Sequence, residues 1–350
     1  MDEFVKCLIK PINQFRWVLA AAFLFAVFLP ACIPASQPPP PLPTETPLPT
    51  LTFTPIPSPT LTQPPSPPQV TDTSTAILPT PTLEDTPVPQ NVRFAVIGDY
   101  GSGSEAESEV ADLVKSWAPD FIITTGDNNY PDGESETIDE HVGQFFHEFI
   151  APYQGSYGEG SHENRFFPSL GNHDWHSPGA EPYLDYFTLP GNERYYDFER
   201  GPVHFFVLDS DSREPDGVGR SSQQAAWLQS HLAASTSPWK IVYFHHAPYS
   251  SGMHGPVDWM QWPFADWGAD VVLSGHDHTY ERISRDGIQY FVNGLGGMSK
   301  YLFFGVIEGS QVRYNDDYGA MLVEADQDMV ILKFINRQNE VIDTIQLNRQ

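Results

Sequence analysis

Val92-Arg93-Phe94-Ala95-Val96-Ile97-Gly98-Asp99-Tyr100-Gly101 decides the fold class. An apolar run, interrupted only by Arg93, stops at a glycine followed by a carboxylate. Such a run suits a strand covered on both faces, and the glycine lets the chain turn sharply beyond it. The pattern returns downstream. Strands are predicted over 120–124, 165–170, 240–244 and 270–273. They lead into Gly126-Asp127-Asn128-Asn129-Tyr130, Gly171-Asn172-His173-Asp174, His245-His246-Ala247-Pro248 and Gly275-His276-Asp277-His278. Ser104 with Glu107 forms a capping box for a helix reaching residue 117, and helices are also predicted over 136–149, 222–233 and 256–266. Further strands are predicted over 195–198 and 203–208, and 280–345 reads as strand and turn. Alternating strands and helices give an α/β class. In open α/β sheets the chemistry collects at the carboxyl ends of strands, where all five of these loops fall.

The loops supply carboxylate, phenol, amide and imidazole groups, all of them oxygen or nitrogen donors. That mix suits transition metals rather than calcium. Two cations need roughly seven or eight protein ligands, one fewer if a carboxylate is shared, and the donors here suffice for two. No cysteine follows Cys32, so this part of the chain offers neither disulfides nor thiolate ligands.

Five such motifs in this order, with Leu189-Pro190-Gly191 and Val207-Leu208-Asp209 between them, resemble the calcineurin-like metallophosphoesterases. Within that superfamily the set is most similar to the purple acid phosphatases, over about 93–279. The resemblance implies a four-layer α/β/β/α sandwich with two mixed β-sheets face to face. It implies a first metal held by Asp99, Asp127, Tyr130 and His278, and a second held by Asp127, Asn172, His246 and His276, with Asp127 bridging through its two oxygens. His173 corresponds to the proton donor to the leaving group. His254 falls near a histidine that contacts substrate phosphate. Asp174 and His245 take supporting positions around the ligands. Many members of the superfamily carry a histidine ligand where this chain has Gly101, and Tyr130 replaces that donor. A phenolate favours a trivalent ion, so iron(III) is expected at the first site and Fe(II), Zn or Mn at the second.

The implied reaction is hydrolysis of a phosphorylated small molecule, a phosphate monoester, by a metal-activated water, with His173 protonating the departing alkoxide. Two other readings share parts of the sequence. One is a Mn or Zn phosphodiesterase or nucleotide hydrolase, disfavoured by Gly101 and Tyr130. The other is a non-catalytic binding module displayed on a stalk, disfavoured by the complete donor set. The formal charge of −27 makes nucleic acid an unsuitable partner. His141, His147, His162, His176, His204 and His231 belong to no motif and are expected to be structural. Trp259, Trp262 and Trp267 read as core.

The N-terminal quarter has a different character. Lys6, Lys10 and Arg16 precede an apolar run from Trp17 to Leu29, too short to span a bilayer and suited to a signal peptide. Leu29-Pro30-Ala31-Cys32 resembles a lipobox, so residues 1–32 are expected to direct export, with lipidation at Cys32. Residues 33–90 hold most of the 34 prolines. Proline fixes φ and removes a donor, and apolar side chains are few, so this stretch is expected to be a disordered linker. The catalytic domain is expected over 91–350, long enough for one large core. The protein is then expected outside the cytoplasm, secreted or held at a membrane by its lipid.

Overall fold

In the computed structural model, which describes residues 91–349, thirteen strands form two sheets. The expected leader and linker, residues 1–90, lie outside the described residues. The strands are β1 (Asn91–Ile97), β2 (Phe121–Thr124), β3 (Phe166–Pro168), β4 (Tyr196–Arg200), β5 (Val203–Val207), β6 (Trp239–His246), β7 (Val271–Gly275), β8 (Tyr280–Arg285), β9 (Ile288–Asn293), β10 (Ser310–Tyr314), β11 (Gly319–Asp326), β12 (Met329–Asn336) and β13 (Val341–Asn348). One sheet has the order β13-β12-β11-β1-β2-β3, the other β10-β8-β9-β7-β6-β5-β4. Both are mixed. β1, β2 and β3 run parallel in the first, as do β5, β6, β7 and β9 in the second, with antiparallel strands outside them.

The inner faces meet through aromatic side chains. Phe94 packs edge-on to Phe205, with ring centres 5.0 Å apart, and Phe121 meets Phe205 at 5.4 Å. Helix α1 (Glu105–Ser116) lies against the first sheet. Helix α2 (Gln223–Ala234) buries Leu228 and Leu232 with Phe206, Val242, Phe244 and Val272 on the outer face of the second. The result is the expected α/β/β/α sandwich. Ser104 caps α1 by accepting from the Glu107 N–H at 3.2 Å. The Glu107 carboxylate reaches past Ser104 to the N–H groups of Ser102 and Gly103.

Two predicted helices are not continuous. The 136–149 stretch is a wide turn over Asp139–Gly143, one α-turn over Gln144–Phe146 and a tight turn over His147–Phe149. Gly143 there lies so close to Asp139 Oδ1 and the hydroxyls of Tyr153 and Tyr186 that a Cβ would clash with all three. The 256–266 stretch splits into Asp258–Met260 and Phe264–Trp267 on either side of Pro263, which cannot donate within a helix. Trp262 is buried, whereas Trp259 is 45% exposed. The strand predicted over 240–244 runs on through His246, and that extension decides which histidine enters the site.

Candidate metal centre

Each motif leaves a parallel strand at its carboxyl end, β1 to β3 from one sheet and β6 and β7 from the other, so the donors converge where the sheets meet. The backbone there is unusual. Asp99, Asp127 and His276 have φ values of 55°, 54° and 69°, a left-handed conformation that non-glycine residues adopt mainly where surroundings enforce it. Two glycines allow the close approach. A Cβ at Gly171 would fall 2.2 Å from Asp127 Oδ1, and one at Gly101 only 1.8 Å from the Asn128 carbonyl oxygen. Position 101 therefore has no room for any side chain.

The first donor set is fully assembled. Tyr130 Oη lies 2.8 Å from Asp127 Oδ2, 3.4 Å from Asp99 Oδ1 and 3.2 Å from His278 Nε2. His278 Nε2 is 3.3 Å from Asp99 Oδ1. All four side chains are buried. Ligand bonds of about 2.0–2.2 Å place neighbouring donors about 2.8–3.6 Å apart in octahedral or tetrahedral geometry. The observed spacings fit a metal ion. His278 Nδ1 faces the Ser299 carbonyl at 2.9 Å, which reserves Nε2 for the centre.

The second set forms around His245 rather than His246. His245 Nε2 lies 3.0 Å from Asn172 Oδ1, 3.2 Å from His276 Nδ1 and 3.4 Å from Asp127 Oδ2. Its Nδ1 sits 2.9 Å from the Thr125 carbonyl, so the ring is oriented as a ligand is. The His246 ring faces Ser210, with Nδ1 2.9 Å from the hydroxyl, and packs beside the set, its centre 4.4 Å from that of His276 and 5.8 Å from that of Trp259. Alternation along β6 explains the difference. Ile241 and Tyr243 face between the sheets, Val242 and Phe244 face outward, and His245 continues the inward series. His245, rather than the expected His246, is thus the residue whose Nε2 lies beside Asn172, His276 and Asp127.

Asp127 also differs in detail from the expected bridge. Only Oδ2 faces both donor sets. Oδ1 accepts from the His173 N–H at 2.9 Å. Asp99 accepts from the His276 N–H through both oxygens, which ties the first motif to the last. Asp174 lies one layer out, accepting from the N–H groups of Gly171 and Asn128 and from the Asn128 amide.

The electrostatics favour a cation. Burial alone would raise the Asp127 carboxyl, but His245 and His173 outweigh it and hold Asp127 well below the usual range. Burial opposes charge on His245, yet Asp127 and Asp99 push its imidazole up to about 10. Burial and then Asp127 and Asp99 push the Tyr130 phenol well above its ordinary value. Such a phenol ionises when a metal ion takes the place of its proton.

His173 is half-buried at the rim. Its Nδ1 lies 2.5 Å from the Pro131 carbonyl, and its ring centre is 4.3 Å from that of Tyr130. His254 is exposed, stacks on His276 at 4.2 Å, and its N–H donates to Asp277 Oδ1. His176 shares the Pro131 carbonyl with His173. Tyr301 carries no motif, yet its ring lies 4.0 Å from that of His278 and nearly parallel to it. Ser210 carries none either; its only sequence signal is its place after β5, beside Asp209.

A model of the calcineurin-like phosphoesterase family matches residues 92–280, more than half of the chain, and the chain belongs to that family. Its curated relatives include purple acid phosphatases. One from soybean, Glycine max, is 28% identical over 225 residues, covering 58% of this chain and 46% of the relative. Tartrate-resistant acid phosphatase type 5 of Mus musculus is 25% identical over 256 residues, covering 62% and 73%. The chain spans about half the length of several plant relatives it matches. Among solved structures, the purple acid phosphatase PPD1 of yellow lupin, Lupinus luteus, matches with a TM-score of 0.60 at 17% identity, covering 74% of this chain and 54% of that one. GAP50, described as the anchor in the inner membrane complex of Plasmodium, also matches with a TM-score of 0.60, at 21% identity, covering 75% and 90%.

Proposed function

We propose that this chain hydrolyses phosphate monoesters at a two-metal centre. The observation that carries this reading is that Asp127 Oδ2 lies 2.8 Å from Tyr130 Oη and 3.4 Å from His245 Nε2, between two donor sets that share Asp127. Asp99, Asp127, Tyr130 and His278 would hold the first ion, and Asp127, Asn172, His245 and His276 the second. The phenolate donor favours iron(III) at the first position, with Fe(II), Zn or Mn at the second. Bound there, the pair would supply charge neutralisation to a phosphoryl group and an ionised water near neutral pH.

The chain's own residues do the rest. The Thr125 and Ser299 carbonyls fix the rings of His245 and His278 so that Nε2 of each faces inward. The Pro131 carbonyl takes Nδ1–H of His173, leaving Nε2 to carry a proton to the leaving oxygen. His254, on the His276 ring, is placed to donate to a phosphoryl oxygen. Residues 1–32 would export the chain, Cys32 would anchor it to a membrane through lipid, and 33–90 would hold the catalytic domain, 91–350, away from that surface. Among the described residues no helix is long and apolar enough to cross a membrane.

The test is turnover together with metal content. Purified protein loaded with iron and zinc is expected to bind two ions per chain and cleave p-nitrophenyl phosphate well above bis(p-nitrophenyl) phosphate. Preference for the bis ester would make it a phosphodiesterase. Full metal loading without turnover of either ester would leave a binding module.

A further inference from the structure

We propose that the organic group of the phosphate ester is apolar and docks on a rim formed by Leu302, Phe304, Val306 and Met253; this rests on the phosphatase reading above. These four side chains are 67%, 72%, 65% and 57% exposed, and they are among the most exposed large apolar groups of the described residues. Lone exposed apolar residues are ordinary, whereas a cluster beside a binding site marks a contact surface.

The rim is continuous with the centre at two places. Tyr301, next to Leu302, stacks on His278 and donates its N–H to the His278 carbonyl at 3.0 Å. Met253 adjoins His254, which stacks on His276 and lies 5.4 Å from the Tyr301 ring. The two loops are tied together. The Phe304 N–H donates to the Ser251 carbonyl, and the Ile307 N–H to the Ser251 hydroxyl, each at 3.0 Å. Ser251 is itself fixed by the buried Glu281, which accepts from its N–H and its hydroxyl. The backbone that carries these apolar side chains is therefore a braced ledge that begins beside His276 and His278.

Charge points the same way. The segments that build the centre and the rim contain two basic residues, Arg213 and Lys300. Arg213 pairs with Asp211 and donates to the carbonyls of Trp175 and Asn172. Lys300 donates to the Asp316 carbonyl and lies over the Tyr318 ring. A leaving group bearing further phosphates or carboxylates finds no uncommitted cation among these described residues, whereas an alkyl or aryl group finds the ledge.

A series of straight-chain alkyl phosphates from ethyl to octyl tests this, each below its micelle concentration, with the metal-loaded full chain. The leaving alkoxides differ little in basicity, so the series varies apolar length alone. Values of kcat/KM are expected to rise by about two- to fourfold per methylene over the contacted part, the upper figure being the fully buried limit. In the double variant Leu302→Ser/Phe304→Ser, the octyl-to-ethyl ratio is expected to collapse towards one. The ratio cancels any general loss of activity, and a melting curve reports folding. A flat series in the native protein overturns the proposal. So does a double variant that keeps the ratio but loses binding to phosphatidylcholine vesicles, which would place the rim against a membrane. No turnover of any ester would instead sink the phosphatase reading itself.

Discussion

His245 Nε2 lies 3.4 Å from Asp127 Oδ2, the same oxygen that accepts the Tyr130 hydroxyl at 2.8 Å. One carboxylate oxygen thus faces both halves of the centre, and the second half is completed by the first histidine of the His245-His246 pair. His245→Ala is expected to deplete the second metal and lower activity by at least about 100-fold, since even outer partners of metal ligands are worth 10–100-fold in affinity. His246→Ala is expected to keep both metals, losing a ring that contacts Ser210, His276 and Trp259. Metal analysis of the two variants checks this; second-metal loss confined to His246→Ala would place His246 at the second ion instead.

The leaving group tests His173. Removal of its side chain leaves the backbone N–H on Asp127 Oδ1, so the centre is expected to stay assembled. An alkoxide needs a proton as it departs and nitrophenolate does not. His173→Ala is therefore expected to slow ethyl phosphate by about 100- to 10,000-fold and p-nitrophenyl phosphate far less. An equal fall for both esters would mean that His173 positions phosphate rather than donating a proton.

Those positions were legible to different degrees. Asp99, Asp127, Asn172, His276 and His278 each follow a buried strand by a glycine and a sharp turn, so strand phase alone brings them to one edge. The choice between His245 and His246 depended on whether β6 ended at Phe244 or continued. A residue's face alternates at every step, and a register shift between Tyr243 and His246 against β7 further obscures it. Tyr301 and Ser210 were not legible, because both reach the centre through loop contacts across many residues with no periodic signal. The broken 136–149 stretch was hidden for a similar reason. Asp139 there accepts hydrogen bonds from the Tyr153 and Tyr186 hydroxyls, 14 and 47 residues away, which no local pattern reveals.

Asp139 gives a pH prediction away from the metals. Burial pushes its carboxyl up, but the Tyr153 hydroxyl, the Ser156 N–H and the Tyr186 hydroxyl outweigh this and hold it below its ordinary value. A carboxyl lowered on folding contributes stability above its unfolded value, about 3.9, and that contribution is lost as pH falls through the lowered folded value. Asp139→Asn is thus expected to loosen the 150–164 loop at pH 7, and to make progressively less difference as pH falls below about 3.9. Limited proteolysis at pH 7, and with an acid protease over a falling pH series, reads this out. Equal protection of both proteins at pH 7 would contradict it.

The visible spectrum of the iron-loaded protein tests the metal assignment most directly. A phenolate on iron(III) donates electron density into the metal d levels and absorbs visible light. Burial and two carboxylates keep the Tyr130 phenol protonated unless a cation displaces its proton. The oxidised protein is expected to show a charge-transfer band that Tyr130→Phe abolishes while the fold persists. An active protein that carries two equivalents of zinc or manganese after growth in iron-rich medium, with no visible band, would contradict the ferric phenolate at the first site.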